Sequence, residues 1–354
     1  MTTTLASEGW RMPAEWEPHQ ATWIAWPHEK SDWPGKFAPI PWVYGEIVRH
    51  LVGEDVHILV QDAAQEKRAC RVLTKVGVDF KRIRFFCVPT DRVWTRDSGP
   101  IFLVHPTGKV GMTDWHFNAW AKYDNWLRDD QVPARINKQL RLKRWQPKCK
   151  DRRVVLEGGS IDVNGQGLLL TTEECLLSPI QARNPHLSKG EVEKTLCGHL
   201  GVKKVFWLGN GITGDDTHGH VDDLARFVGP RQVVTVIEPS QADPNFEPLQ
   251  ENSRRLRAMT DLTGKPLEIV ELPMPAPLFF EGRRLPASYA NFYIANDVVL
   301  VPTFNDANDH KAIGILEDVF PTRRVVGIHA VDLVWGFGTL HCMTQQQPKQ
   351  ARPT

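Results

Sequence analysis

Apolar and polar positions follow a recurring order along the chain. Four stretches read as two short strands joined by a tight turn: Ile101 to Trp115 turns at Pro106-Thr107-Gly108-Lys109, Ser160 to Thr172 at Asn164-Gly165, Leu224 to Pro239 at Gly229-Pro230, and Asn291 to Phe304 at Asn296-Asp297. Five stretches carry a helical pattern followed by another apolar run. Val43 to Leu51 precedes Asp55 to Val60, and Gln65 to Gly77 precedes Arg82 to Val88. Ser188 to Gly201 precedes Val202 to Leu208, Leu249 to Leu262 precedes Leu267 to Pro273, and His310 to Phe320 precedes Arg323 to Ala330. The predicted unit is therefore strand, turn, strand, helix, strand. Asp97, Glu157, His220 and Asn291 mark equivalent points 60, 63 and 71 residues apart.

Units that cannot each bury a face alone stack around a shared centre, and a closed ring leaves no open end. The chain, residues 1–354, has no linker rich in Gly, Ser or Pro, so one domain is expected, with 349–354 as a flexible tail.

Composition narrows the function classes. The 354 residues carry 43 basic and 42 acidic side chains, a net charge of +1, so no global field favours nucleic acid or an anionic membrane surface. No run approaches the roughly 20 apolar residues of a membrane span, and "MTTTLASEGWRMPAEW" lacks the pattern of a secretory signal. A cytoplasmic location and a small-molecule substrate are expected. Six cysteines without CxxC spacing argue for reduced thiols, most of them filler. Most of the thirteen tryptophans are expected to be core, with Trp94 and Trp120 set aside as walls for a cationic ligand.

The candidate chemistry falls where the hairpins begin. "VWTRDSGP" places Asp97 before Ile101, "LEGGS" places Glu157 before two glycines, and "DDTHGHVDD" places His220 and Asp222 before Leu224. "GTLHC" places Cys342 where a fifth hairpin would begin. Each has a bland reading: Asp97 as a turn cap, Glu157 as a strand end, His220 as a core imidazole. Together they make a thiol, an imidazole and three carboxylates that equivalent units would bring to one centre. In an extended segment His220 and Asp222 share a face, whereas His341 and Cys342 point to opposite sides. That geometry pairs the thiol with His220 and makes His341 structural. The same alternation admits a zinc hydrolase using His218, His220 and Asp222. The glycines beside Cys342 are expected to admit the substrate close to the backbone.

These motifs, with "MPAEWEPHQATWIAWP", "FNAW", "TTEECLLSPIQARNPHLS", "SYANFYI" and "GTLHCMTQQQP", run in order over almost the whole chain. On them the chain resembles the agmatine deiminase and bacterial peptidylarginine deiminase family of the guanidino-group-modifying, or pentein, superfamily. The resemblance implies an α/β fold, a five-bladed α/β propeller of ββαβ repeats around a central active site. It implies Cys342 as nucleophile, His220 as general acid and base, Asp97 and Asp222 as guanidinium-binding carboxylates, and Glu157 as a further acid, with no cofactor and no metal. The implied partner is a small cationic guanidino substrate, and assembly with further copies of the chain is left open. The leading activity is hydrolysis of agmatine to N-carbamoylputrescine and ammonia through a covalent Cys thioether, feeding putrescine and polyamine synthesis. The alternative is conversion of protein-bound arginine to citrulline.

Trp94 and Trp120 are expected along the substrate's aliphatic chain, and Asp216 at its distal amine. The chain departs from the family pattern at Phe337 and Thr339, where members commonly carry Gly and Asn. It is also shorter than many members between Leu272 and Tyr289.

Overall fold

The computed structural model describes residues 4–350. Four units have the predicted composition. The first pairs Ile101–Val104 with Val110–Thr113 antiparallel, then adds Lys143–Trp145 parallel after the helix Val132–Leu140. The second joins Asp162–Val163, Leu168–Thr172, the helix Lys189–Leu200 and Lys204–Leu208 in the same order. Ala225–Phe227, Gln232–Ile237, Phe246–Ala258 and Glu268–Pro273 form the third. Tyr293–Ile294, Val298–Thr303, Asp309–Val319 and Arg324–His329 form the fourth.

The fifth unit is split across the two ends of the chain. Gln345–Pro348 pairs antiparallel with His19–Ala25, which pairs parallel with Asp55–Val60 after the helix Ile40–His50; Ile83–Cys87 extends the sheet. The hairpin expected to begin at Cys342 thus takes its second strand from near the amino terminus, closing the ring of five ββαβ units. The helix Val132–Leu140 is not among the predicted segments: it is only 9 residues long, and periodicity does not settle a run that short. Of the expected tail, Lys349 N–H donates to Pro18 O, and 351–354 lie outside the described residues.

Local chemistry explains the boundaries. Asp55–Val60 carries β-branched Val56, Ile58 and Val60 and is buried at every position but Asp55, as a strand covered on both faces requires. Ser188 and Glu191 form a capping box at the start of one helix, and Gly201 ends it with φ of 70°. Among the described residues no helix is long and apolar enough to cross a membrane.

Charges lie inside as well. Glu15 Oε2 meets His341 Nε2 at 2.7 Å and Arg96 Nη2 at 3.2 Å, and Glu15 Oε1 meets Arg226 Nη2 at 2.9 Å. Glu15 Oε1 also accepts from Ile294 N–H at 2.8 Å, and Arg226 Nε donates to Asp162 Oδ2 at 2.6 Å. These residues come from the amino-terminal segment and from all five units. Removing one partner of a buried ion pair strands the other charges. Glu15→Ala is therefore expected to lose about 3–5 kcal/mol in urea denaturation; a loss under about 1 kcal/mol, as for an exposed pair, would contradict this role.

Candidate active site

Each unit delivers its polar group from the short segment ahead of its first strand. Asp97 lies in the helical turn Thr95–Ser98, whose peptides are held by bonds such as Arg96 N–H to Cys342 O at 3.2 Å. Glu157 precedes the turn Gly158–Ser160. Gly159 N–H donates to Asp97 Oδ1 at 2.9 Å, and a Cβ there would stand 2.6 Å from His220 Nδ1 and 3.0 Å from Asp222 Oδ2. Only glycine lets these groups approach so closely. His220 precedes the turn Val221–Asp223, which carries Asp222.

The turn replaces the extended backbone expected here, yet both side chains reach the site. His220 Nδ1 lies 3.9 Å from Asp97 Oδ1 and from Asp222 Oδ1, and Nε2 lies 3.9 Å from Glu157 Oε2. At that separation they are charge contacts, and both imidazole nitrogens, Glu157 Oε2 and Asp222 Oδ1 are buried without a hydrogen-bond partner. Cys342 Sγ stands 3.7 Å from Asp222 Oδ2 and accepts from Asn291 Nδ2 at 3.2 Å.

The environment sets opposite charge states. Burial pushes the Cys342 thiol well above its ordinary range, reinforced by Asp222, Asp223 and Asp97, so it rests protonated. Burial disfavours charge on His220, but Asp97, Cys175 and Glu157 outweigh it and raise its pKa well above the ordinary value. Burial, reinforced by Asp222 and Glu157, carries Asp97 to about 6 against the pull of His220. Glu157 is fully buried, yet the Arg183 guanidinium, 2.9 Å from Oε1, and His220 lower it to about 2.

The thiol and Asp97 open onto a cavity of about 230 Å³ lined also by Trp94, Trp120, Asp216 and Phe337. Trp120 Nε1–H donates to Asp97 Oδ2 at 2.9 Å, from left-handed backbone at φ of 60°. Gly336 and Gly338 line the cavity, but a Cβ on Gly338 would stand 2.8 Å from Trp94. These glycines therefore admit the Trp94 ring as well as leaving room beside Cys342.

Several expectations change. His218 Nε2 bonds to Ser178 Oγ at 3.0 Å, with Nδ1 3.7 Å from Glu174 Oε1, so His218, His220 and Asp222 do not gather as a metal set. The reason is local: His218 has φ of 65° and Val221–Asp223 is helical, so strand alternation does not apply. Among the described residues the metal-type side chains that do gather are Glu157, Cys175 and His220, within 4.8 Å of one another. Cys175, expected as filler, thus packs against His220. Asp216 lines the cavity, but both oxygens are taken: Oδ1 by Lys122 Nζ and by Arg283 Nη2 at 2.5 Å, Oδ2 by Tyr123 OH at 2.5 Å.

His341 bridges Asp222 Oδ2 and Glu15 Oε2 at 2.7 Å each, and Asp222 Oδ2 is the same oxygen that stands 3.7 Å from Cys342 Sγ, so His341 reaches the thiol's neighbourhood through Asp222. Asn291 served only as a repeat marker, yet it touches the thiol. Its position ahead of the fourth hairpin, equivalent to Asp97 and Glu157, was the available signal. Thr339 Oγ1–H donates to Asn291 Oδ1 at 2.7 Å, and Asn291 Nδ2 also donates to Asp223 Oδ1 at 3.0 Å. Phe337 sits at φ of 64° with the Arg283 guanidinium 4.0 Å above its ring. Asp32, also unforeseen, lines the same cavity.

Residues 11–348 match the family model described as Porphyromonas-type peptidyl-arginine deiminase. The agmatine deiminase of Pseudomonas aeruginosa (strain LESB58) is 37% identical over 370 residues, covering 98% of each chain. Among solved structures, an agmatine deiminase of Enterococcus faecalis catalysing its reaction aligns with a TM-score of 0.90 at 34% identity over 99% of both chains. A substrate-bound agmatine deiminase of C. jejuni aligns with a TM-score of 0.85 at 32% identity over 97% of each chain.

The Asn291 amide lowers the thiol pKa against the surrounding acids. Asn291→Ala is expected to shift the pH dependence of Cys342 alkylation by iodoacetamide upward, with Thr339→Val following by a smaller amount. Peptide mapping of the modified thiol measures both, and an unmoved profile in Asn291→Ala would contradict this role.

Proposed function

We propose that this chain, which belongs to the Porphyromonas-type peptidyl-arginine deiminase family, hydrolyses the guanidinium of agmatine to N-carbamoylputrescine and ammonia. The observation that carries the reading is a buried cluster of carboxylates with unpartnered oxygens beside a thiol and an imidazole, opening onto a small cavity. A guanidinium is a planar, permanent cation with five N–H donors. Asp97 and Asp222 would grip those donors and fix the carbon under attack.

The charge states support a thiol activated by its substrate. Acids surrounding Cys342 hold it protonated in the free enzyme. An incoming cation offsets them, and the thiol releases its proton to solvent as the guanidinium takes its place. The thiolate then forms a C–S bond at the guanidinium carbon. His220, already an imidazolium, gives its proton to the departing nitrogen as the C–N bond breaks and ammonia leaves. Now neutral, His220 takes a proton from water. The resulting hydroxide attacks the amidino-thioether, the C–S bond breaks, the proton of the new hydroxyl passes to the leaving sulfur, and a neutral ureido product leaves with the thiol restored. Glu157, ionised beside Nε2, stabilises the imidazolium in both halves.

Agmatine is favoured over an internal arginine by the size of the cavity. At about 230 Å³ it lies below the roughly 300–1,000 Å³ of pockets for drug-sized ligands, and the hairpin Phe279–Phe280 with Arg283–Arg284 reaches its lining through the Arg283 bond to Asp216. Trp94 and Trp120 would flank an aliphatic chain, a role supported by their both lining the cavity. The same proposal takes residues 1–354 as one functional unit, on the support of a sheet shared by both ends of the chain. It also assigns a role in polyamine synthesis and a cytoplasmic location, the latter on the support of six unpaired cysteines.

Ammonia release from agmatine, free arginine and an internal-arginine peptide tests the substrate class; a preference for the peptide would overturn the agmatine reading. Cys342→Ser is expected to lose at least about 10³-fold in kcat, and near-normal turnover would defeat the covalent step. Only ionised Asp97 can hold the cation, and its pKa is about 6. The kcat/KM is therefore expected to be retained above pH 6 and to fall as pH drops through it. A profile flat from pH 7 to pH 5 would contradict that role.

A further inference from the structure

Besides Asp97, the cavity lining carries two carboxylates in different states. Asp216 holds Lys122, Tyr123 and Arg283 on its two oxygens, so its charge is already offset. Asp32 is 6% exposed and lines the same cavity, on the segment just after the strand His19–Ala25. Its Oδ1 pairs with Arg92 Nη1, while Oδ2 is buried with no hydrogen-bond partner. Arg92 Nη2 donates to Asn125 Oδ1 at 3.3 Å and its guanidinium lies 4.2 Å above the Tyr123 ring, while Arg92 Nε is also buried without a partner. A buried carboxylate oxygen without a donor is costly, and a donor arriving with a ligand recovers that cost.

The cavity lining therefore offers two separate carboxylates to a dication. Asp97 lies beside Cys342, and Asp32, whose Oδ2 has no donor of its own, lies on a different segment, with Trp94 and Trp120 in the same lining. Burial, Glu29 and Asp216 carry the Asp32 carboxyl up to about 7 against the pull of Arg92, and a cation arriving at Oδ2 would hold that carboxyl in its ionised form.

We propose that Asp32 is the specificity-determining residue for the far end of the substrate: its Oδ2 accepts from the distal ammonium, while Asp216 stays tied to the protein. This rests on the guanidino-hydrolase reading above and assigns the ammonium to a residue other than Asp216. The entrance selects guanidines with a second positive charge and discriminates against those ending in a methyl group.

The test compares agmatine with n-butylguanidine, the same chain lacking the amine, in the wild-type enzyme, Asp32→Asn and Asp216→Asn. The readout is the ratio of the two kcat/KM values, which is insensitive to a shared loss from misfolding. A hydrogen bond to a charged group contributes about 1.5–3 kcal/mol, or roughly 10- to 150-fold. Asp32→Asn is expected to lower the agmatine preference by that factor, and Asp216→Asn to keep most of it. An unchanged ratio in Asp32→Asn, or a drop carried by Asp216→Asn instead, overturns the assignment. Wild-type enzyme that releases no ammonia from agmatine would defeat the parent reading alone. The tail contact is then decided by calorimetric affinity of Cys342→Ala for the two compounds, with and without Asp32→Asn. A preference for agmatine that Asp32→Asn removes supports the proposal, and equal affinities overturn it.

Discussion

The buried carboxylate of Glu15 is the constraint on which the centre of the ring depends. It touches Arg96 of the first unit, Arg226 of the third, the backbone of Ile294 in the fourth, and His341 of the fifth. Arg226 reaches on to Asp162 of the second. Charges so deeply buried gain little net stability over an apolar core, but they tolerate no partner's absence and so fix one arrangement of the units. Despite burial, Arg226, His341 and Arg96 hold the Glu15 carboxyl well below its usual range. The same network passes through His341 to Asp222, so the group that would face the substrate is positioned by the charges that position the fold.

That coupling explains how the site keeps an excess of negative charge in a dry interior. Asp97, Glu157, Asp222 and Asp223 are all nearly inaccessible to solvent. Arg183 offsets Glu157 and His341 hydrogen-bonds Asp222, but Asp97 is left with the Trp120 and Gly159 N–H groups. Unpartnered atoms on His220, Glu157 and Asp222 mark where the structure is least satisfied by itself. A cation entering there gains interactions that the empty site lacks, and it relieves the repulsion holding the thiol protonated. Binding and activation of the nucleophile are then one electrostatic event.

How much of this was legible in the sequence follows from the range of each interaction. The four contiguous hairpins were legible because turn chemistry such as Asn164-Gly165 and Asn296-Asp297 is local. The convergence of Asp97, Glu157, His220, Asp222 and Cys342 followed from the repeat, since equivalent points of equivalent units meet. The fifth hairpin was hidden because Gln345–Pro348 pairs with a strand more than three hundred residues away. Asp32 was hidden for the same reason: "KSDW" reads as an ordinary loop until Arg92, 60 residues on, takes one of its oxygens. Where alternation was assumed at His218 to Asp222, a left-handed histidine and a single helical turn broke the period.

The two departures from the family pattern act on opposite sides of Cys342. Thr339 points inward, where its hydroxyl holds the Asn291 carbonyl and so aims the Asn291 amide at the thiol. Phe337 lies at the cavity wall under Arg283, whose guanidinium also holds Asp216. Arg283 belongs to the hairpin that pairs Phe279–Phe280 with Arg283–Arg284. That hairpin delivers its arginine onto the ring of Phe337, and the same arginine occupies Asp216 Oδ1. Arg283 thus ties Phe337 and Asp216 into one cluster that contains none of the thiol, the imidazole and the inner carboxylates.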